Sequence, residues 1–320
     1  MNGNNGKEWS GKTRGGSFGY RFFIVLIDRL GVRFAYVFLA FVVIYFIPFA
    51  PKATVASWWY ARNILKKSRF RSSVFLFANY YRFGQTLIDK VAVSAGKKDR
   101  YEFVFDESYP RFLEMLNQEN GAIMVSAHVG NWEIGAPFFD KYGKKMHVAM
   151  LDAEYRKIKK MLEQHSENRN YNVLPLDETD GLSNIFRAKA ILDRREFICF
   201  QGDRFLGNTQ TAEVGFLGKT ARFPVGPFLL ASRLRVPVIF YFSMREQGAK
   251  YKFYFQMARI ESTETGKSGE PGTESAVKTG TSSGIKPEIL LLEQYVRALE
   301  DIVRKYPHQW FNYYRFWKGN

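Results

Sequence analysis

The sequence predicts an α/β fold, a mixed sheet flanked by helices, preceded by a helical region suited to a membrane. Two patterns carry this. From Gly121 onward, apolar runs of strand length alternate with helical stretches, the signature of a sheet layered with helices. Before residue 94 the chain is instead a long apolar run followed by basic, aromatic-rich helical stretches. The 320 residues are 46% hydrophobic, enough for a substantial core, so disorder of the whole chain is excluded.

Residues 1–19 are rich in Gly, Ser and Asn and read as a disordered tail. Residues 20–93 read as hydrophobic and amphipathic membrane-binding helices. Within them, residues 22–27 are apolar, residues 28–33 interrupt, and residues 34–50 are apolar throughout, close to the minimum for a spanning helix. No small-residue cleavage site follows, since Pro48, Pro51 and Lys52 occupy that place, which excludes a cleaved signal peptide. Cations crowd both sides: Arg14, Arg21, Arg29 and Arg33 before the run, then Arg62, Lys66, Lys67, Arg69 and Arg71 after it. The positive-inside rule therefore gives no orientation, and a tilted span, a helix lying in the interface and a buried core helix all stay open.

The third region, 94–320, reads as one catalytic-type domain. Strands are expected at 121–127, 146–151, 171–175, 196–201 and 236–244, with a further, antiparallel one at 251–260. Helices are expected at about 131–142, 153–168, 181–194, 226–234 and 287–306. Residues 261–286, rich in Gly, Ser, Thr, Glu and Lys, read as a disordered surface insertion because a helix and an aromatic tail follow.

Charge narrows the partners. With 47 Lys and Arg against 31 Asp and Glu, the chain carries +16 and will seek anionic surfaces: nucleic acid, anionic lipid or an acidic carrier protein. Rings beside cations, next to an apolar run too long for a strand, favour an anionic membrane over nucleic acid. The single cysteine, Cys199, makes no internal disulfide and sits among Phe197, Ile198 and Phe200 as a buried strand residue.

Chemistry concentrates in Ser126-Ala127-His128-Val129-Gly130-Asn131-Trp132-Glu133. The apolar run 122–125 ends there, so His128 sits where a strand opens into a turn, the edge at which open α/β sheets gather their sites. Gly130 permits the turn and Asn131 is placed to cap a helix whose first turn holds Glu133. Five residues apart, His128 and Glu133 would not face each other on one helix, but across a strand, turn and helix they can. Imidazole can take a proton from an attacking hydroxyl while a carboxylate fixes its tautomer and supports its charge. The competing reading is a structural histidine at a strand end, with Glu133 serving only the helix dipole.

This segment closely resembles the His-x4-Glu block of the lipid A late acyltransferases of lauroyl and myristoyl type, within the lysophospholipid acyltransferase group. Gln201-Gly202-Asp203-Arg204, Gly207-Asn208 and the stretch from Phe216 to Pro227 look like the family's second signature, and His308-Gln309-Trp310-Phe311 with Arg315-Phe316-Trp317-Lys318 is similar to its C-terminal one. The resemblance implies a glycerol-phosphate-acyltransferase-like mixed sheet. It implies transfer of a fatty acyl group from an acyl carrier protein thioester, or acyl-CoA, to a hydroxyl of a glycolipid acceptor, a lipid A precursor, in lipopolysaccharide biosynthesis. The expected place is the cytoplasmic face of the bacterial inner membrane, and no cofactor or metal is expected. His128 would be the general base and Glu133 would orient it. Asp203 and Arg204 would bind substrate at the same sheet edge, Arg204 alternatively pairing with Asp203 to pin a loop. Of Arg156 and Arg169, the latter is the preferred acceptor-binding arginine.

One departure stands out: Tyr155-Arg156-Lys157 replaces the family's Arg-Pro pair, which leaves an aminolipid or phospholipid acceptor as the alternative. The rival from another class is a non-enzymatic basic membrane or nucleic-acid binder. The strings Gly-x4-Gly-Lys-Thr (residues 6–13) and Gly-x-Ser-x-Gly (residues 15–19 and 280–284) fall only in the Gly- and Ser-rich tail and the polar insertion, where no apolar strand precedes them, so neither reads as a phosphate loop or a nucleophile elbow, and His128, His147, His165 and His308 are too dispersed for a zinc site. The last three read as packing or surface residues.

Overall fold

The computed structural model describes residues 17–317 apart from 95, 118–120, 136–141, 152–170, 178–179, 206–208 and 260–284. Its centre is a sheet of seven strands, β1 (Glu102–Phe105), β2 (Ala122–Ser126), β3 (Met146–Leu151), β4 (Asn172–Leu176), β5 (Phe197–Gln201), β8 (Val238–Arg245) and β9 (Lys250–Met257). They lie in the order β1-β9-β8-β2-β5-β3-β4. The run from β8 to β4 is parallel, and β9 returns antiparallel to β8, as its position just after β8 requires. A separate hairpin joins β6 (Thr211–Phe216) to β7 (Lys219–Pro224).

The strands expected from apolar runs lie within about two or three residues of the observed ones. Two features escaped that reading. Strand β1 has only four residues at a sheet edge, too few for a period. The β6–β7 hairpin turns through Leu217 and Gly218, both at positive φ (52° and 77°), where the usual signal is Asn-Gly. Leu217 is held in place because its N–H donates to the Glu300 carboxylate at 2.8 Å.

The helices are α1 (Ser17–Phe49), α2 (Pro51–Trp59), α3 (Arg69–Ser94), α4 (Tyr109–Asn117), α5 (Gly181–Asp193), α6 (Gly226–Leu234) and α7 (Pro287–Lys305), with a π-helical turn Tyr60–Ile64 after α2. They cover both faces of the sheet. Ile123, Val125, Ile198 and Phe200 face α5, α6, α7 and the C-terminal Trp310 and Trp317. Their alternates Met124, Phe197, Cys199 and Tyr241 face α1, α3 and α4. Burial on both sides is why these strands read as unbroken apolar runs, each buried large side chain contributing about 1.5–3 kcal/mol.

Helix α1 begins three residues inside the expected tail and breaks its helical geometry at Gly31 (φ 83°). It runs antiparallel to α3, as the pairs Asp28–Lys97, Tyr36–Asp89 and Phe46–Tyr80 show. One stripe (Ile27, Ala35, Leu39, Val43) is buried against α3, and Leu39 comes so close that a Cβ on Gly84 would lie 2.4 Å from its Cδ1. Among the described residues, Val25–Phe49 is the one segment long and apolar enough to cross a membrane.

A buried polar cluster ties α1, α3 and the sheet together. Arg245 Nε lies 2.8 Å from Asp89 Oδ2, and the pair is 4% and 0% exposed. Tyr101 donates to Asp89 at 3.1 Å, and the hydroxyls of Tyr36 and Tyr251 do the same at closer range. Burial first, and the Asp89 charge next, push these three phenols above their ordinary range, so they remain donors. Removing one member of a buried ion pair strands the other. Asp89→Ala is therefore expected to cost about 3–5 kcal/mol in urea unfolding of the detergent-solubilised protein, and Tyr36→Phe about 1 kcal/mol. A loss under about 1 kcal/mol for Asp89→Ala would contradict the burial of this pair.

Candidate active site

The site follows from strand register. Strands β2 and β5 are parallel neighbours, paired from Ala122↔Phe197 to Ser126↔Gln201. Continuing that pairing two residues past the strand ends sets His128 opposite Asp203, and the two do meet. The His128 N–H donates to both Asp203 oxygens (3.1 and 3.0 Å), and ring Nδ1 lies 2.8 Å from Oδ1. A carboxylate only accepts, so Nδ1 carries the proton and Nε2 is left as the basic nitrogen.

Asp203 is 2% exposed, with Trp310 Nε1 also 3.4 Å from Oδ2. Burial alone would raise its carboxyl. The His128 ring and hydrogen bond, the Arg204 guanidinium and the His128 N–H together outweigh that and hold it below the ordinary carboxylate value. It therefore stays ionised against the imidazole, which remains 28% exposed.

The expected partner, Glu133, is engaged elsewhere. Its Oε2 lies 2.6 Å from Lys90 Nζ on α3 and accepts from the Tyr171 hydroxyl at 3.3 Å. The chain after Gly130 enters a 3₁₀ turn, Trp132–Gly135, from which the Glu133 carboxylate reaches Lys90 on α3. Asn131 does not cap a helix through its side chain. Its amide donates to the Thr86 carbonyl at 3.1 Å, fastening the loop to α3. Gly130 is required at this bend: its φ is +56°, and a Cβ there would lie 2.0 Å from the Ser243 carbonyl oxygen.

The C-terminal segment closes the loop from the other side. Phe311 N donates to His128 O and Gly130 N donates to Gln309 O, both at 2.9 Å, around a bridge between Val129 and Trp310. Arg204 Nη2 donates to the Phe311 carbonyl at 2.8 Å and the Tyr314 hydroxyl donates to the Asp203 carbonyl at 3.0 Å. Both Asp203 oxygens are thus engaged by His128, and Arg204 bonds the tail at Phe311, at the sheet edge where the two residues are expected. The C-terminal aromatics were legible only as a motif; their contact with Asp203 depends on a fold-back of about a hundred residues.

One layer below the pair, Ser126 Oγ and both polar atoms of the Gln201 amide are buried without a hydrogen-bond partner. Such groups each cost about 1–3 kcal/mol, a burden expected where a ligand supplies the partner.

Arg156, Arg169, His165, Gly207 and Asn208 lie outside the described residues. His147 pairs with Glu196 at 2.8 Å, His308 packs on the Phe75 ring and Cys199 is fully buried, each as a packing residue. No group of three His, Cys, Asp or Glu suited to a metal occurs among the described residues. Pro224 ends β7 and Pro227 sits in the first turn of α6, a strand-to-helix entry.

Two variants test this arrangement. Asp203→Asn should lower kcat by roughly 10³–10⁴-fold, because an amide can stabilise the wrong imidazole tautomer. With its carboxyl depressed in the folded state, Asp203 contributes stability above pH about 4 that is lost as pH falls through the lower folded value. Acid unfolding of Asp203→Asn should show a correspondingly shallower pH dependence. Gln201→Met should leave stability unchanged or raise it by about 1 kcal/mol while lowering kcat, and full activity would mean its amide meets no ligand.

Residues 66–319 match the family described as bacterial lipid A biosynthesis acyltransferase. That is most of the chain, and the chain belongs to this family: it is an acyltransferase enzyme. No curated protein matches it.

Proposed function

We propose that this lipid A-type acyltransferase moves a fatty acyl group from acyl carrier protein, or coenzyme A, onto a hydroxyl of a lipid A precursor at the cytoplasmic face of the bacterial inner membrane. The observation that carries the reading is the His128–Asp203 pair at the carboxyl edge of the sheet, next to α3 and the apolar helix α1 that α3 supports.

In this mechanism the acceptor hydroxyl oxygen attacks the thioester carbonyl carbon as His128 Nε2 takes its proton. The tetrahedral intermediate collapses with cleavage of the C–S bond, and the imidazolium returns the proton to the departing thiolate. Asp203 fixes the tautomer and supports the ring's charge through Nδ1. Glu133, paired with Lys90 and bonded by Tyr171, holds the loop that carries His128 against α3, and the buried Gln201 amide, which has no protein partner among the described residues, is the donor assigned to the developing oxyanion. Arg169 is kept as the acceptor-binding arginine. The basic surface serves an anionic membrane and an acidic carrier protein alike.

The second acceptor reading, an aminolipid or phospholipid, rests on Tyr155-Arg156-Lys157 in place of the family's Arg-Pro. Mass spectrometry of total lipids from a deletion strain separates the two. Loss of one acyl chain from lipid A, restored by the wild-type gene and not by His128→Ala, is expected. An unchanged lipid A spectrum with altered aminolipids or phospholipids would move the acceptor to that class.

A further inference from the structure

Val25–Phe49 is long and apolar enough to cross a membrane, and even its unbroken part beyond the kink at Gly31, residues 32–49, reaches about 27 Å as a helix against the roughly 30 Å of bilayer hydrocarbon. Length therefore permits a crossing. The contacts along the helix do not. Near one end of the span Asp28 pairs with Lys97. In the middle the Tyr36 hydroxyl donates to Asp89 and accepts from Arg245, while Tyr81 donates to the Tyr36 carbonyl at 3.2 Å. At the far end Thr54 donates to the Ile47 carbonyl at 2.9 Å. The neighbour along this whole length, α3, carries Arg71, Arg82, Asp89 and Lys90 and holds the catalytic loop through Thr86. A crossing α1 would have to take these charges and the edge of the sheet into hydrocarbon, or break away from them.

The side of α1 turned from α3 has the opposite character. Phe34, Val37, Phe41, Tyr45 and Phe49, three and four residues apart, are 46–66% exposed. Because α1 and α3 are antiparallel, the exposed Phe70 and Val74 extend the Phe49 end of the hairpin. Lys66, Arg69 and Arg71, all exposed, surround Phe70, with Lys67 beside them. Rings and aliphatic groups ringed by cations, on a chain of +16, match the chemistry of an anionic lipid surface.

We infer that α1 lies in the plane of one anionic leaflet, its exposed stripe among the acyl chains and the Lys66–Arg71 cluster on the headgroups, and does not cross the bilayer. The carboxyl edge of the sheet, fastened to α3, is then held against the leaflet. This placement extends the membrane reading above but is independent of the acceptor.

The buried Cys199 is the sole cysteine, so single introduced cysteines report alone. Ser10→Cys and Ser73→Cys, on either side of α1 in sequence, are to be treated with a membrane-impermeant maleimide in intact spheroplasts and in inverted vesicles. Labelling of both on the same face is expected. Labelling on opposite faces overturns the in-plane placement while leaving acyl transfer intact. Independently, Phe41→Glu with Tyr45→Glu should weaken binding to phosphatidylcholine–phosphatidylglycerol vesicles at least about tenfold, with unchanged far-UV circular dichroism. Unchanged vesicle binding by this folded variant also overturns it.

Discussion

The parallel pairing of β2 with β5 is the constraint on which the site depends. It fixes a constant offset between the two strands, and two residues beyond their ends that offset delivers a carboxylate to an imidazole. A slip of one residue would turn both side chains to the other face of the sheet and bury the imidazole in the core. The apolar runs 122–125 and 197–200, buried on both faces, prevent the slip. Packing in the core thus sets the geometry of a proton transfer at the edge.

A register fixes positions, not orientations, and the remaining order comes from two clamps on the His128 loop. Helix α3 holds it through Asn131 and Glu133, while the C-terminal segment holds it by main-chain bonds at His128 and Gly130. Helix α3 is in turn fixed to β8 by Asp89 and Arg245. Such a buried pair adds little net stability over an apolar substitute, but it admits only one arrangement, and that arrangement links the membrane-facing hairpin to the sheet. The hairpin's position and the loop's position therefore come from one set of contacts.

Much of this was legible in the sequence. Apolar runs marked five parallel strands and one antiparallel strand, and the end of the run at Ser126 marked His128 as an edge residue. What the sequence could not resolve was the partner of His128. Proximity in sequence points to Glu133, whereas the residue that bonds the ring is Asp203, through a pairing 75 residues apart that no local pattern encodes. The same limit hid the contacts of Trp310 and Tyr314 with Asp203. Local chemistry also misled at Asn131, whose residue type suits a cap but whose buried amide bonds to α3.

The in-plane hairpin and the edge location of the pair answer one physical problem. A lipid acceptor brings a polar group that must reach His128 and acyl chains that cannot enter water. A site far from the leaflet would require the whole lipid to be extracted, exposing many methylenes at about 0.8 kcal/mol each. With α3 joining the apolar hairpin to the loop that carries His128, the headgroup needs to rise only to the sheet edge while its chains stay in the bilayer. The Asp89–Arg245 cluster is what keeps that distance short, since it locks the helix that lies on the lipid to the strand beside the one that ends at the base.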